Sequence, residues 1–510
     1  MGLGSILIER AAKRALETAR GALDADRALQ TAMGALIDAR RAEHEKRPSP
    51  RWRSGEPLEL LLAGYVGSRN TGADVRTEEM IRQFRHLLGD EHASLSILTI
   101  DPSWTRGYFK TVRQLEVPQL FPTFLYDQVR RYHGVIACEG SMFKSKFASA
   151  LTTMMVGALG LARAEDKVAI GYGGEAGAMD ASLEAMIEEY VEGSLIITRN
   201  PESSAVLERL GIETRVGTDT AWTFGSDEVD APGGLSETLL RRAGWDGKKP
   251  VVVVCPIHPF WWPVKPDPWK ALVHKATGAH EKTHFRSIYF HHDAPDVEKK
   301  LVGYLGKLAG GMVDLARSRD VFPVIVGMEA LDRGACERFQ QRVELTTHQT
   351  WPLFSSDEHD MFELVSILRR ASLVVSSRYH ALVCSMPAAV PSIGVTMDER
   401  IRNLMKDRGT PELSLEVDDG QLDAKIRDHG LALLDAIDAA RGPIERSVAR
   451  NLRSMGEMGA MFVDHVRAAH PRFPFRAGLG EGNDPLAHLP PLPALQRRIL
   501  ETHASESSPR

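Results

Sequence analysis

LELLLAGYVGSRNTGADVRTEEMIRQFRHLL, residues 58–88, decides the fold. An apolar run of strand length, LELLLAGYV, passes through a glycine-punctuated loop into TEEMIRQFRHLL. There Ile81, Phe84 and Leu88 recur at helical spacing. The alternation repeats through SLSILTI, GVIAC, KVAIGYG and SLIITR, each a short run able to be buried on both faces. A break at GSDEVDAPGGLSE (225–237) interrupts it. It resumes with PVVVVC (250–255), RSIYFH (286–291), FPVIVG (322–327), SLVVSS (372–377) and VPSIGV (390–395). The reading is an α/β chain of two Rossmann-like domains, each a mostly parallel sheet between helices, facing across a central cleft.

Outward from these halves the pattern changes. Residues 1–47 read as helix, with Leu16, Leu23, Met33, Leu36 and Ile37 forming a broken apolar stripe suited to packing or dimerisation. RPSPRWRSGEP (47–57) is a linker. From about Gln421 to His470 the chain is again helical, and the tail from Pro471 is expected to be poorly ordered. The boundaries are 1–50 for the helical extension and linker, 57–230 and 248–425 for the two domains, and 426–510 for the helix and partly disordered tail.

The chain has 510 residues, and 63 Lys+Arg against 68 Asp+Glu leave a net charge of −5, which removes any general electrostatic case for nucleic acid. Cys138, Cys255, Cys336 and Cys384 show no CxxC pair and no zinc spacing, as expected of free thiols in a reducing cytosol. Glu9 and Arg10 cut the first apolar run too short for a signal peptide. The longest uncharged stretch, 147–162, is shorter than the roughly 20 residues a span needs and reads as a buried helix. The expectation is a soluble, cytoplasmic protein without a transmembrane segment. Peripheral membrane contact and homo-oligomerisation remain compatible with the chain.

Ligands of open α/β sheets sit beyond the C-terminal strand ends. After the first strand, Gly64, Gly67 and Gly72 allow a tight loop with Asn70 and Asp74, and Asp74 is placed as N-cap of a helix beginning near Val75. The spacing matches neither GxGxxG nor a P-loop, so an anion- or sugar-approaching loop and a plain connection both stand. CEGSMFKS (138–145) puts Glu139 and Gly140 at a strand end, where a carboxylate can take a hydroxyl proton or bind an amide. GYGGEAGAM (171–179) surrounds Glu175 with glycines, and SLIITR ends on Arg199, an anion clamp or a structural partner. In SLVVSSRYHALVCSMPAAVPSIGV (372–395), Arg378 and His380 follow a strand and open a helix, a seat for phosphate and carboxylate. His258, His284, His291 and His292 are dense. The last two are adjacent and point to opposite faces of a strand, so no metal site is expected. Phe260, Trp261, Trp262 and Trp269 either stack on sugar rings or pack among prolines.

Taken in order, GYVGSRNTGAD, CEGSMF, TRNPESSAVLERLGI, the DTAWTF run from Asp219 and SRYHALVCSMPAAVPSIGV resemble the polysaccharide pyruvyl transferase family, over about residues 58–410. The resemblance implies a fold similar to two-domain GT-B glycosyltransferases. It also implies transfer of the enolpyruvyl unit of phosphoenolpyruvate to a sugar or lipid-linked saccharide, commonly as a pyruvate ketal. Phosphoenolpyruvate is then the donor substrate, with no cofactor, on the second domain, and the first domain takes the acceptor. Carried onto this chain, it makes Arg199, Arg378 and His380 the donor site, with His380 as general acid. Glu139, or next Asp74, is the candidate base, and Asn70, Gly72, Gly140 and Glu175 complete the substrate-binding set. The chain departs from the family pattern at Ala73, at Cys138–Glu139–Gly140 and at GGEAGAM on the acceptor side, and near Met397–Arg400, where the family often has Tyr and Lys. A nucleotide-sugar glycosyltransferase and a non-catalytic binding protein on the same fold are the alternative readings.

Overall fold

The computed structural model describes residues 25–226, 229, 233–278, 289–292, 294–476, 478–479 and 484–504. The first half is a seven-stranded sheet made of β1 (Leu58–Ala63), β2 (Ala93–Thr99), β3 (Arg113–Glu116), β4 (Gly134–Ala137), β5 (Val168–Gly174), β6 (Leu195–Thr198) and β7 (Thr214–Val216). Its spatial order is β3-β2-β1-β4-β5-β6-β7, parallel at every pairing. The second half contributes β8 (Val251–Cys255), then β9 (Lys265–Pro266) and β10 (Tyr289–Phe290), then β11 (Phe322–Gly327), β12 (Leu353–Ser355), β13 (Leu373–Ser376), β14 (Ser392–Thr396) and β15 (Ser414–Glu416). Six of these form a parallel sheet in the order β12-β11-β8-β13-β14-β15. The two-domain α/β expectation holds.

Val251, Val252, Val253 and Val254 show why the apolar runs become central strands: each is at most 1% exposed, with helices on both sides. Burial at about 25 cal/mol per Å² makes each such side chain worth roughly 1.5–3 kcal/mol. One expected strand departs from this. Of RSIYFH, Tyr289 and Phe290 pair antiparallel with Lys265–Pro266 in a separate two-stranded ribbon, and 286–288 lie outside the described residues. The short edge strands β3, β7, β12 and β15 carry too few apolar residues to show as strand runs.

In the first sheet the chain progresses in opposite directions from β1 and β4, and in the second from β8 and β13. These are the topological switch points where α/β sheets bind ligands. The halves touch through direct bonds. Thr71 N donates to Met328 O (2.8 Å), Ser356 Oγ to Arg69 O (2.7 Å), Met361 N to Tyr108 Oη (2.7 Å) and Arg369 Nη2 to Phe224 O (2.6 Å).

Helix Ala25–Lys46 buries Met33, Leu36 and Ile37 against helix Ser149–Arg163, the buried helix expected from the uncharged stretch. A Cβ on Gly157 would lie 2.6 Å from Met33 Cγ, and one on Gly160 would lie 2.7 Å from Ile37 Cδ1, so the two glycines permit the approach. Leu16 and Leu23 lie outside the described residues. Helix Ile437–Ala469 returns from the second half to the first, stacking Phe462 on Phe84 (4.5 Å between ring centres). The tail corrects the expectation of poor order: Ala494–Thr502 is a helix, and Gln496 Nε2 donates to Phe224 O (2.8 Å). That helix packs against partners far away in sequence. Among the described residues, no helix is long and apolar enough to cross a membrane.

Candidate active site

The loop after β1 begins helix Thr71–Leu88, whose N-cap is Asn70: its Oδ1 accepts the Ala73 N–H (3.2 Å). This corrects the placement of Asp74, which sits inside the first turn, 2% exposed. The helix starts earlier because Asn70 satisfies one of its first free N–H groups, that of Ala73. Burial raises the Asp74 carboxyl well above its ordinary range, against the pull of Arg69. Gly72 has a different task. A Cβ there would lie 2.1 Å from His380 Nδ1, so the imidazole of the second half rests directly on the backbone of the first.

His380 also meets Asp219, the hub of the cleft. Asp219 Oδ2 lies 3.1 Å from Arg76 Nε, 3.2 Å from Arg199 Nη1 and 3.3 Å from His380 Nε2, while Oδ1 accepts the Ala221 N–H (3.0 Å). Burial pushes this carboxyl up, but Arg76, His380 and Arg199 outweigh it and hold it far below the carboxylate range. Burial lowers the His380 pKa, although Asp219 opposes that shift. Arg199 pairs with Glu175 as well, and Glu175 in turn pairs with Lys144 (3.0 Å). Lys144 crosses the cleft to Glu399 Oε1 (2.5 Å), and the Tyr379 ring covers Arg199 at 4.4 Å. Gly140 lies over the same cluster, its Cβ position 3.3 Å from both Arg76 Nη1 and Arg199 Nη1.

Arg378 is held differently. Its Nε donates to Asp332 Oδ2 (2.8 Å), and its Nη2 donates to Asp332 Oδ1 (2.5 Å) and Glu329 Oε2 (2.6 Å). Two buried carboxylates thus fix one edge of the guanidinium. Burial and Glu329 push the Asp332 carboxyl up to about 6 even though Arg378 pulls it down. Arg378 lines a cavity of about 100 Å³ at the meeting of the two switch points, with Tyr65, Asn70, Glu139, Ser141 and Glu329 on its polar side. Glu139 comes from the first half, where its Oε1 accepts the Ser141 N–H (3.4 Å). Burial raises its carboxyl, with Arg76 opposing.

The structure therefore brings Arg378, Glu139 and Asn70 to one cavity, and His380 with Gly72 to the adjoining contact between halves. Arg199 and Glu175 lie beneath, in the ion-paired network, their side chains 2% and 1% exposed. Arg76, Asp219, Lys144, Glu329, Asp332 and Arg400 were not singled out as site residues from sequence. Arg76 had a signal: with Met80 and Phe84 it occupies the buried face of a helix, where an unpaired charge is untenable. The four cysteines are buried and free. His258 and His291 stack on either face of Trp261, at 4.2 and 4.0 Å. His284 and the Trp269 side chain lie outside the described residues.

Residues 187–399 match the model of the polysaccharide pyruvyl transferase family, which bears out the resemblance and marks the chain as a transferase. The matched segment contains Arg199, Asp219, Glu329, Asp332, Arg378 and His380, and leaves Asn70 and Glu139 outside. No curated protein sequence matches the chain significantly. Solved structures of similar arrangement include the UDP-GlcNAc 2-epimerase of Neisseria meningitidis bound to UDP-GlcNAc. It shows 10% identity and a TM-score of 0.47, covering 81% of this chain and 100% of that one. Its Methanocaldococcus jannaschii counterpart gives 10% identity and 0.47, covering 88% and 100%. The ADP-heptose LPS heptosyltransferase II of E. coli gives 11% and 0.36, covering 75% and 100%.

Proposed function

From a chain whose residues 187–399 carry the pyruvyl transferase match, we propose an enzyme that moves the enolpyruvyl unit of phosphoenolpyruvate onto a saccharide, closing a pyruvate ketal. One observation carries the reading: Arg378 and Glu139, from opposite halves, line the same cavity at the two switch points. The donor's phosphate and carboxylate take the edge of Arg378 that Glu329 and Asp332 leave open, with Arg400 as the second cation on the cavity wall. Arg199 acts through Asp219, positioning His380, because its own guanidinium is occupied and covered.

His380 delivers a proton to the methylene carbon, turning it into a methyl group and leaving C2 electron-poor. Asp219 stabilises the imidazolium that precedes this step, and the anionic donor raises its population. An acceptor hydroxyl gives its proton to Glu139 and bonds to C2. The C2–O bond to phosphorus-bearing oxygen then breaks, inorganic phosphate leaves, and a neighbouring hydroxyl closes the ketal with loss of its proton. The raised pKa of Glu139 makes its carboxylate a stronger base than an ordinary one.

Calorimetric titration with phosphoenolpyruvate, beside UDP- and GDP-sugars, tests the donor in wild type and Arg378→Ala. Saturable phosphoenolpyruvate binding, abolished by the substitution, is expected. A chain that binds a nucleotide sugar and ignores phosphoenolpyruvate is a glycosyltransferase instead.

A further inference from the structure

The cavity has a second wall, made of Phe147, Leu151, Trp262 and Val264, with Arg400 at its edge. Phe147 belongs to the first half and Trp262 to the second, and Val264 N donates to Phe147 O (3.1 Å), tying them together. The Trp262 ring meets Phe147 edge-on at 5.1 Å and 82°. His291 meets it from another side at 5.0 Å and 78°, and that histidine is itself stacked on Trp261. The Arg400 guanidinium lies 4.6 Å over the Phe147 ring, held there by Asp398 (2.8 Å). Trp262 is thus fixed in orientation by a framework that involves both halves.

Trp262 stays half-buried, as do Trp52, Trp104 and Trp261, whereas Trp222, Trp245 and Trp351 are at most 4% exposed; of the half-buried rings, Trp262 is the one that lines the cavity. An apolar ring held open to a cavity forgoes burial until something covers it. Glu139, Asn70 and Ser141, which can bond hydroxyl groups, line the same cavity. The occupant that satisfies both walls has a flat C–H face and a hydroxyl rim, as a pyranose does.

We propose that Trp262 and Phe147 form the stacking wall of the acceptor subsite, taking the C–H face of a sugar ring whose hydroxyl edge meets Glu139. This rests on the pyruvyl transfer reading for the name acceptor, but the wall is tested independently of the donor. The full chain, as wild type, Trp262→Phe and Trp262→Ala, is examined by saturation-transfer NMR. The probes are methyl β-D-galactopyranoside, methyl β-D-glucopyranoside, galactitol and uridine, with phosphoenolpyruvate titrated in parallel.

Wild type is expected to saturate the ring C–H protons of a glycoside and to leave galactitol unsaturated. Trp262→Ala lowers that signal about ten-fold and Trp262→Phe restores most of it, with phosphoenolpyruvate affinity unchanged in both. Glycoside saturation that ignores Trp262→Ala overturns the wall, as does the absence of any glycoside signal. Stronger saturation of uridine overturns it in favour of a nucleobase, and loss of phosphoenolpyruvate binding in both variants overturns it in favour of the donor. Trp262-dependent glycoside binding without phosphoenolpyruvate binding in wild type overturns the donor reading and leaves the wall standing.

Discussion

Arg199 and Arg378 each follow a buried strand, and each carries two carboxylate partners, yet they occupy opposite conditions. The Arg199 side chain is 2% exposed, covered by Tyr379, and shares Asp219 with Arg76 and His380. The Arg378 side chain is 21% exposed, and its carboxylates hold one edge while another faces the cavity. One arginine completes a dry ionic hub, and the other is presented to the cavity. The difference teaches that a guanidinium at a strand end is a structural or a binding group according to what covers it.

The largest effect should come from the hub. Asp219→Asn leaves Arg76 and Arg199 short of a buried partner, so urea unfolding should show a loss of about 3–5 kcal/mol. A variant as stable as wild type would erase the contrast between the two arginines. Glu329→Gln should lose less, because Asp332 still holds two nitrogens of Arg378.

Gly72→Ala comes next. The added methyl would sit 2.1 Å from His380 Nδ1 and must displace the ring. Turnover should fall about 100-fold, with phosphoenolpyruvate affinity little changed, and steady-state kinetics beside calorimetry separate the two.

The two sites should also respond to pH with opposite sign. Asp219 has a lowered pKa in the fold, so its contribution is present above the unfolded value of about 3.9 and is lost as pH falls below it. Asp332 has its pKa raised to about 6, so its ionisation opposes folding, and its contribution grows as pH falls from above 6 towards the unfolded value. From pH 7 to pH 4 the stability difference between Asp219→Asn and wild type should therefore hold constant, shrinking only below about 3.9, whereas wild type should gain on Asp332→Asn across that same interval. The smallest effect marks the baseline: Lys406→Ala removes an exposed pair with Glu202 (3.1 Å) and should change stability by less than about 0.5 kcal/mol.

Much of the site was legible because its residues lie at strand ends, which the apolar runs locate. Arg378, His380, Glu139 and Asn70 were found this way, and all lie at the cleft. Glu175 and Arg199 were found by the same rule but lie beneath it, since the rule locates a loop and cannot say which side chains a neighbouring loop will cover. Asp219, Glu329 and Asp332 were passed over as site residues because an acidic residue near a turn has many ordinary uses. Their role exists only through partners from 20 to 161 positions away. The C-terminal segment escaped for the same reason, its order depending on contacts such as Gln496 with Phe224.

By itself the sequence determined two parallel α/β sheets, the buried helix between β4 and β5, and the strand ends that bear chemistry. These follow from local periodicity and from which residues water rejects. Only the tertiary structure decided that Asp219 joins Arg76, Arg199 and His380, that Gly72 carries the imidazole, and that Arg378 and not Arg199 faces the cavity. Desolvation is the reason: a charge buried between two halves must find its partner wherever the fold supplies one, and no local pattern records that choice.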